Sequence, residues 1–396
     1  MNVLVTTLLM LYIVALHVSM AGMEIVGWTI ITAILIYQIR HRDFSIMLAN
    51  KNVLIWQGVM TLAILGSLLA TPLEKPFMFQ FGFMRWIFVL WGLTFALNLV
   101  WSAKFEAILL RVWIAMLLID GAYGVLQCLT GIDFFRDMAV YLQGDGVYKA
   151  VGFFSLSMTY AYSIGISLMA LSIPALQSRF KGWGALACIF GVLGVISSMS
   201  RGAWAAVAIC AFIYLGVNLR RYVVPVAIGL VLAVVGLALF SRGFANKIYG
   251  LAELNVDHSS NVRLDLWRGY WQMFIEHPLF GVGIFEGDKL LPGIFKQLGI
   301  VQLFVSHAHN NFLQFLGGAG IFGLASYVAL SWIFLRKAWT LRTKSFAWGW
   351  SVFLAQIFLQ LGGLTEANFI NAVVNHILML TWAIVLVLEA RPREMV

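Results

Sequence analysis

The stretch SHAHNNFLQFLGGAGIFG (residues 306–323) sets a polar knot of two histidines and two asparagines directly against a glycine-studded apolar run. That run stays apolar as far as Leu335, long enough for a helix that crosses a bilayer, which takes about 20 residues. The whole chain has the same character. Of its 396 residues, 62% are hydrophobic and 11% charged, against about 25% charged in a soluble domain. Such a chain cannot hide its apolar surface from water, so it reads as an integral membrane protein. Its apolar runs are continuous rather than alternating, which selects helices over barrel strands. The expected fold class is therefore all-α and polytopic.

Twelve helices are expected, near residues 3–20, 23–39, 52–70, 81–101, 105–127, 151–176, 183–200, 202–219, 222–240, 311–335, 346–364 and 371–389, separated by polar, charged or Gly/Pro breaks. The first apolar run has no basic residue before it and another span directly after it, so it reads as a retained helix and not a cleaved signal. One set of short loops holds Arg40, Arg42, Lys51, Lys104, Arg179, Lys181, Arg220, Arg221, Arg336, Lys337, Arg342, Lys344, Arg391 and Arg393. The opposite set holds only Lys75, Arg136, Lys149 and Arg201. The richer set belongs on the cytoplasmic side, which places both termini there. The same rule accounts for the net charge of +9 without invoking nucleic acid. Cys128, Cys188 and Cys210 fall inside apolar runs, at spacings that suit neither a disulfide framework nor a metal site.

The chain divides into helices 1–9 (residues 1–240), one long external loop (241–308) and helices 10–12 (309–396), as a single integrated membrane domain. Within the loop, NVRLDLWRGYWQMFIEH (261–277) repeats Leu264, Trp267, Tyr270, Trp271 and Phe274 at helical spacing, with Asn261 placed to cap it. A second amphipathic piece spans residues 290–300. Aromatic amphipathic helices of this kind lie at a membrane interface.

Polar groups collect at the external ends of the helices. Arg201 sits in a tight Ser-Arg-Gly turn, on the side where positive charge is disfavoured. The loop adds Arg263 and Arg268, five residues apart and so turned roughly 140° from one another on a helix. His307, His309, Asn310 and Asn311 open helix 10, Glu366 lies between helices 11 and 12, and Arg85 begins helix 4. Arginine forks suit phosphate, and imidazole suits proton abstraction from a hydroxyl near neutral pH. Each group also has a plain alternative: a snorkelling arginine, a capping His309 or Asn310, or a Glu366 that merely solvates its turn. A His-x-His pair can bind metal, but metal sites want further ligands and the loop carboxylates are scattered, so no metal is expected. Asp120, within helix 5, is positioned to pair with Arg85, and Arg111 to snorkel toward the cytoplasm.

These residues make the chain similar to the O-antigen ligase and polymerase superfamily of bacterial membrane glycosyltransferases. The resemblance rests on the Ser-Arg-Gly turn at Arg201, on NVRLDLW followed by HPLFGVG in the long loop, and above all on His309-Asn310-x9-Gly320-x2-Gly323. That last stretch looks like the family's His-[Asn/Ser/Gln]-x9-Gly-x2-[Gly/Thr/Tyr] pattern. The resemblance implies a GT-C-like fold in the bacterial inner membrane with a periplasmic active site. It implies Arg201, Arg263 and His309 as catalytic, with Arg268, Asn310, His307, Glu366 and Arg85 around the substrates. The family's loop motif is often Arg-x3-Leu, whereas Trp267 follows Arg263 and Gln272 follows Arg268 at that offset, leaving the choice of arginine open. The implied reaction transfers a polysaccharide from undecaprenyl pyrophosphate to a sugar hydroxyl of lipid A–core, with inversion and without cofactor or metal. A polymerase and a protein O-glycan transferase share these features. The 128–150 loop is a modest candidate for the second sizeable loop of a polymerase. A lipid-linked sugar transporter would instead place its cations at midplane depth, where only Arg111 and Asp120 approach, and no internal repeat is visible. A scaffold for export machinery would not require arginines and histidines together at one face.

Overall fold

The computed structural model describes residues 2–70, 82–136, 142–144, 146–246 and 258–391. Lys75 and Arg393 of the charge count lie outside them. Eight described helices are long and apolar enough to cross a membrane, and four more apolar helices (Asn2–Val18, Arg85–Val100, Lys181–Ser197 and Phe346–Gly362) are shorter. Together they fall at the positions of the segments expected from the sequence. In chain order the helices are α1 (Asn2–Val18), α2 (Met20–His41), α3 (Ser45–Leu48), α4 (Lys51–Ala70), α5 (Arg85–Val100), α6 (Ala103–Thr130), α7 (Ser157–Gln177), α8 (Lys181–Ser197) and α9 (Arg201–Asn218). They continue with α10 (Val223–Phe240), α11 (His258–Glu276), α12 (Gly287–Gln297), α13 (Asn311–Leu341), α14 (Phe346–Gly362) and α15 (Ala372–Ala390). The departure from all-α is a two-stranded hairpin, β1 (Leu142–Gly144) antiparallel to β2 (Val147–Tyr148), in the loop after α6.

Local chemistry sets the helix ends. Ser19 caps α2 by accepting from Gly22 N, and Ser102 caps α6 by accepting from Phe105 N. Gly131 ends α6 at φ 72°, a left-handed position that glycine takes without steric cost. Helices apolar on every side go either to the middle of the bundle or to its rim. α7 and α15 take the middle, each with 89% of its most apolar window buried, while α10 has none of its window buried and stands at the rim. Asp120 is fully buried inside α6, and its partner is His17 of α1 at 3.2 Å, not Arg85. Arg85 instead pairs with Glu24 at 3.2 Å. Arg111 lies 4.7 Å from the Phe180 ring centroid, a cation–π contact.

The segment between α10 and α13 builds a small core of its own. Val262, Leu266, Tyr270 and Met273 of α11 pack with Leu291, Ile294 and Phe295 of α12 and with Ala308. This is a different stripe from the one read in the sequence: of Leu264, Trp267, Tyr270, Trp271 and Phe274, Tyr270 alone is a buried member of that core. Leu264 and Trp271 face outward with Ile275. The helix is apolar on two faces, so periodicity alone does not choose between them. It also starts at His258, so Asn261 is an exposed residue inside the helix and not its cap.

Gly320 and the turn after α11 lock the loop onto the bundle. α13 kinks at Gly320, where φ is 66° and ψ −164°. The Pro278–Ile284 segment lies in that kink: Ile321 N donates to Pro278 O, Val282 N to Gly317 O and Gly283 N to Gly318 O. A Cβ on Gly320 would run into the Leu279 carbonyl. The two glycines of the His309-Asn310-x9-Gly320-x2-Gly323 pattern thus serve close packing, with Gly323 seated against Ala319. Replacing Gly320 by alanine is expected to lower the melting temperature of the detergent-solubilised protein, because that backbone region alone costs about 1–3 kcal/mol for a residue with a Cβ. An unchanged melt would mean the kink tolerates a side chain.

Candidate functional site

The polar knot that opens α13 is a set of staples. Asn310 caps the helix: its Oδ1 accepts from Leu313 N at 3.0 Å, and its Nδ2 donates to Leu364 O at 3.0 Å. Asn311 N donates to Gly363 O at 2.7 Å. Its amide group donates to Asn368 Oδ1 at 2.6 Å and accepts from Phe369 N at 3.0 Å. Gln314, one turn into the helix, accepts from Ala308 N at 2.8 Å and donates to Ile284 O at 2.7 Å. These bonds tie the start of α13 to the α14–α15 turn on one side and to the Pro278–Ile284 segment on the other. Glu366 is thereby carried to the two histidines.

Glu366 joins both rings. Its Oε2 lies 2.8 Å from His309 Nδ1, and its Oε1 lies 3.3 Å from His307 Nε2. Oε1 also accepts from Ala367 N at 3.1 Å. The tautomers follow from these partners. A carboxylate only accepts, so His309 Nδ1 carries the proton and Nε2 becomes the ring's acceptor. His307 Nδ1 accepts from His309 N at 3.2 Å, so its own proton sits on Nε2 and points to Glu366. His309 holds φ 47°, a left-handed position that histidine visits more readily than most residues.

The electrostatics favour an ionised Glu366. Burial works to raise its pKa, but the His309 hydrogen bond and the charges of His307, His309 and Arg263 outweigh burial and hold it below the usual carboxylate range. Desolvation by the surrounding protein holds His307 below the usual histidine range; His309 and Arg263 add to this and Glu366 opposes it. The depressed Glu366 makes a contribution to stability that is full above its unfolded value of about 4.3 and lost as pH falls through its folded value. Melts of wild type and Glu366→Gln are expected to differ at neutral pH and to converge in acid; a constant gap would deny the carboxylate this role.

A cavity of about 520 Å³ opens beside these groups, with His307, His309, Glu366, Tyr162, Lys149 and Phe304 on its wall. Arg263 is half-buried on α11 and its charge acts on Glu366, His307 and Tyr162. Arg268 points the other way, exposed and 3.4 Å from Asp265, which leaves Arg263 as the arginine of this helix that acts on the site. Arg201 begins α9. The next residue, Gly202, abuts the α14–α15 turn: a Cβ there would sit 2.5 Å from Thr365 Oγ1 and 2.9 Å from the Tyr162 hydroxyl. The structure brings His307, His309, Glu366 and Arg263 together, with Arg201 at the adjoining helix start. Three others stand differently. Both ends of the Asn310 amide are spent on backbone groups, so its part is to position the turn. Arg268 faces away from the cavity. Arg85 lines a separate cavity of about 400 Å³ with Phe83, Phe285 and Asn375. Two wall residues were missed. Tyr162 lies in an unbroken apolar helix and gives no signal, whereas Lys149 carries the same signal as Arg201, a cation on the side that lacks them.

Fold and site together define a polytopic helical protein with a carboxylate–histidine pair and an arginine at one end of its bundle. Residues 186–328 match the family model described as O-antigen ligase, and over that stretch the chain is similar to the O-antigen ligase/polymerase superfamily. The match contains Arg201, Arg263, both histidines and the Gly320 kink. No curated protein matches the chain.

Proposed function

We propose that this protein is an inverting O-antigen ligase of the bacterial inner membrane, with twelve crossings, cytoplasmic termini and a site that faces the periplasm. The donor is a polysaccharide on undecaprenyl pyrophosphate and the acceptor a sugar hydroxyl of lipid A–core. The observation that carries the reading is the Glu366–His309 pair on the wall of a cavity under the charge of Arg263. His309 Nε2 takes the proton from the acceptor hydroxyl as its oxygen attacks the anomeric carbon. The bond from that carbon to the pyrophosphate oxygen breaks, and its electron pair leaves on the pyrophosphate. Arg263 and Arg201 stabilise the charge that develops there, so this route draws its positive charge from the protein and not from a metal. Glu366 fixes the His309 tautomer and stabilises the imidazolium as it forms.

The polymerase reading has one observation in its favour: Lys149, from the 128–150 loop, stands on the cavity wall. One assay separates the two. Purified protein in nanodiscs receives undecaprenyl-pyrophosphate glycan and lipid A–core with EDTA present. Glycosylated lipid A–core is the expected product. Longer undecaprenyl-linked glycans with no lipid A product would make the protein a polymerase, and neither product from a proven donor would overturn the enzyme reading.

A further inference from the structure

The sequence offers a His-x-His pair without a third ligand; the folded chain supplies one. The donor atoms of His307, His309 and Glu366 all lie within 4.8 Å of one another. Within the cluster, His307 Nε2 lies 3.3 Å from Glu366 Oε1 and His309 Nδ1 lies 2.8 Å from Glu366 Oε2. Two imidazole nitrogens and one carboxylate are a donor set suited to zinc, which takes three protein ligands and a water where a site stays open. The neighbouring cavity provides room for that water. The bonds that hold the cluster also hold the ligands in place: the Ala367 N–H fixes the carboxylate, and the turn from Ser306 to Asn310 is pinned through Gln314.

We propose that His307, His309 and Glu366 form a binding site for a divalent cation of the zinc class, and that the ion inhibits the protein. Binding requires the protons on His307 Nε2 and His309 Nδ1 to leave those atoms. With the ion on His309 Nδ1, the neutral ring keeps its proton on Nε2. Nε2 then has no lone pair to accept a proton from a hydroxyl. The same ion removes the negative charge that Glu366 offers to an imidazolium. Binding at the site stands on geometry alone, whereas the inhibition rests on the reading of His309 as the base.

The test uses full-length, tag-free protein stripped with chelator and titrated with Co²⁺, a spectroscopic stand-in for zinc. Strong visible bands of a four-coordinate Co²⁺ site are expected, displaced by Zn²⁺. His307→Ala and Glu366→Gln are each expected to weaken binding at least 10-fold, with helicity and elution volume unchanged as the folding control. Absent bands in the wild type would overturn the site whatever the variants do. In the transfer assay, Zn²⁺ is expected to slow the EDTA-treated enzyme with the same midpoint at which it displaces Co²⁺. Binding without slowing would overturn the inhibition and leave the site standing. An enzyme inactive before any metal is added would count against the catalytic reading, not against the site.

Discussion

His309→Asn is expected to lower turnover by about 100- to 10,000-fold, the range a positioned general base contributes, while donor binding changes little. Asparagine is the informative replacement because His309 holds φ 47°. Asparagine tolerates that backbone position, so the loss reports the missing proton acceptor and not a sprung turn. Alanine would combine both effects. The split between kcat and KM is the measurement: a base acts in the transition state, so kcat and kcat/KM fall together. A variant that retains more than about a tenth of the activity would remove His309 from the base role and leave it as a structural residue of the turn before α13.

The second large effect belongs to one arginine and not its neighbour. Arg263→Gln is expected to lower kcat by about 100- to 1,000-fold, the loss seen when one preorganised group that stabilises developing charge is removed. Arg268→Gln is expected to stay within about twofold, because an exposed arginine paired on its own helix surface contributes little. The contrast follows from which way each side chain turns. Arg263 acts on Glu366 and His307, while Arg268 is exposed beside Asp265. Arg263→Lys tests the leaving-group role further. Lysine keeps the charge but loses the fork, so partial activity points to bidentate contact with pyrophosphate. Equal losses at both positions would mean the donor spans the outer face of α11 as well.

Composition alone determined that this chain is a helical membrane protein, because lipid offers no partner for backbone polar groups and continuous apolar runs then leave only helices. The charge asymmetry of the short loops and the long break at residues 241–308 were legible for the same reason: both reflect the free energy of single residues in lipid or water, which needs no neighbour. His309, Glu366, Arg201 and Arg263 could be named as candidate site groups because each is a polar residue where apolar ones prevail. The tertiary structure decided everything that depends on direction. It turned Arg263 inward and Arg268 outward, buried the Val262–Leu266–Tyr270–Met273 face of α11, and gave Asp120 to His17 rather than Arg85. It also spent Asn310 on a cap and brought Glu366 to His309 and His307 across the start of α13. Those outcomes hang on hydrogen bonds and close glycine contacts between segments far apart in the chain. Periodicity and spacing describe one segment at a time, and so they are silent about which of two polar or apolar faces will find a partner.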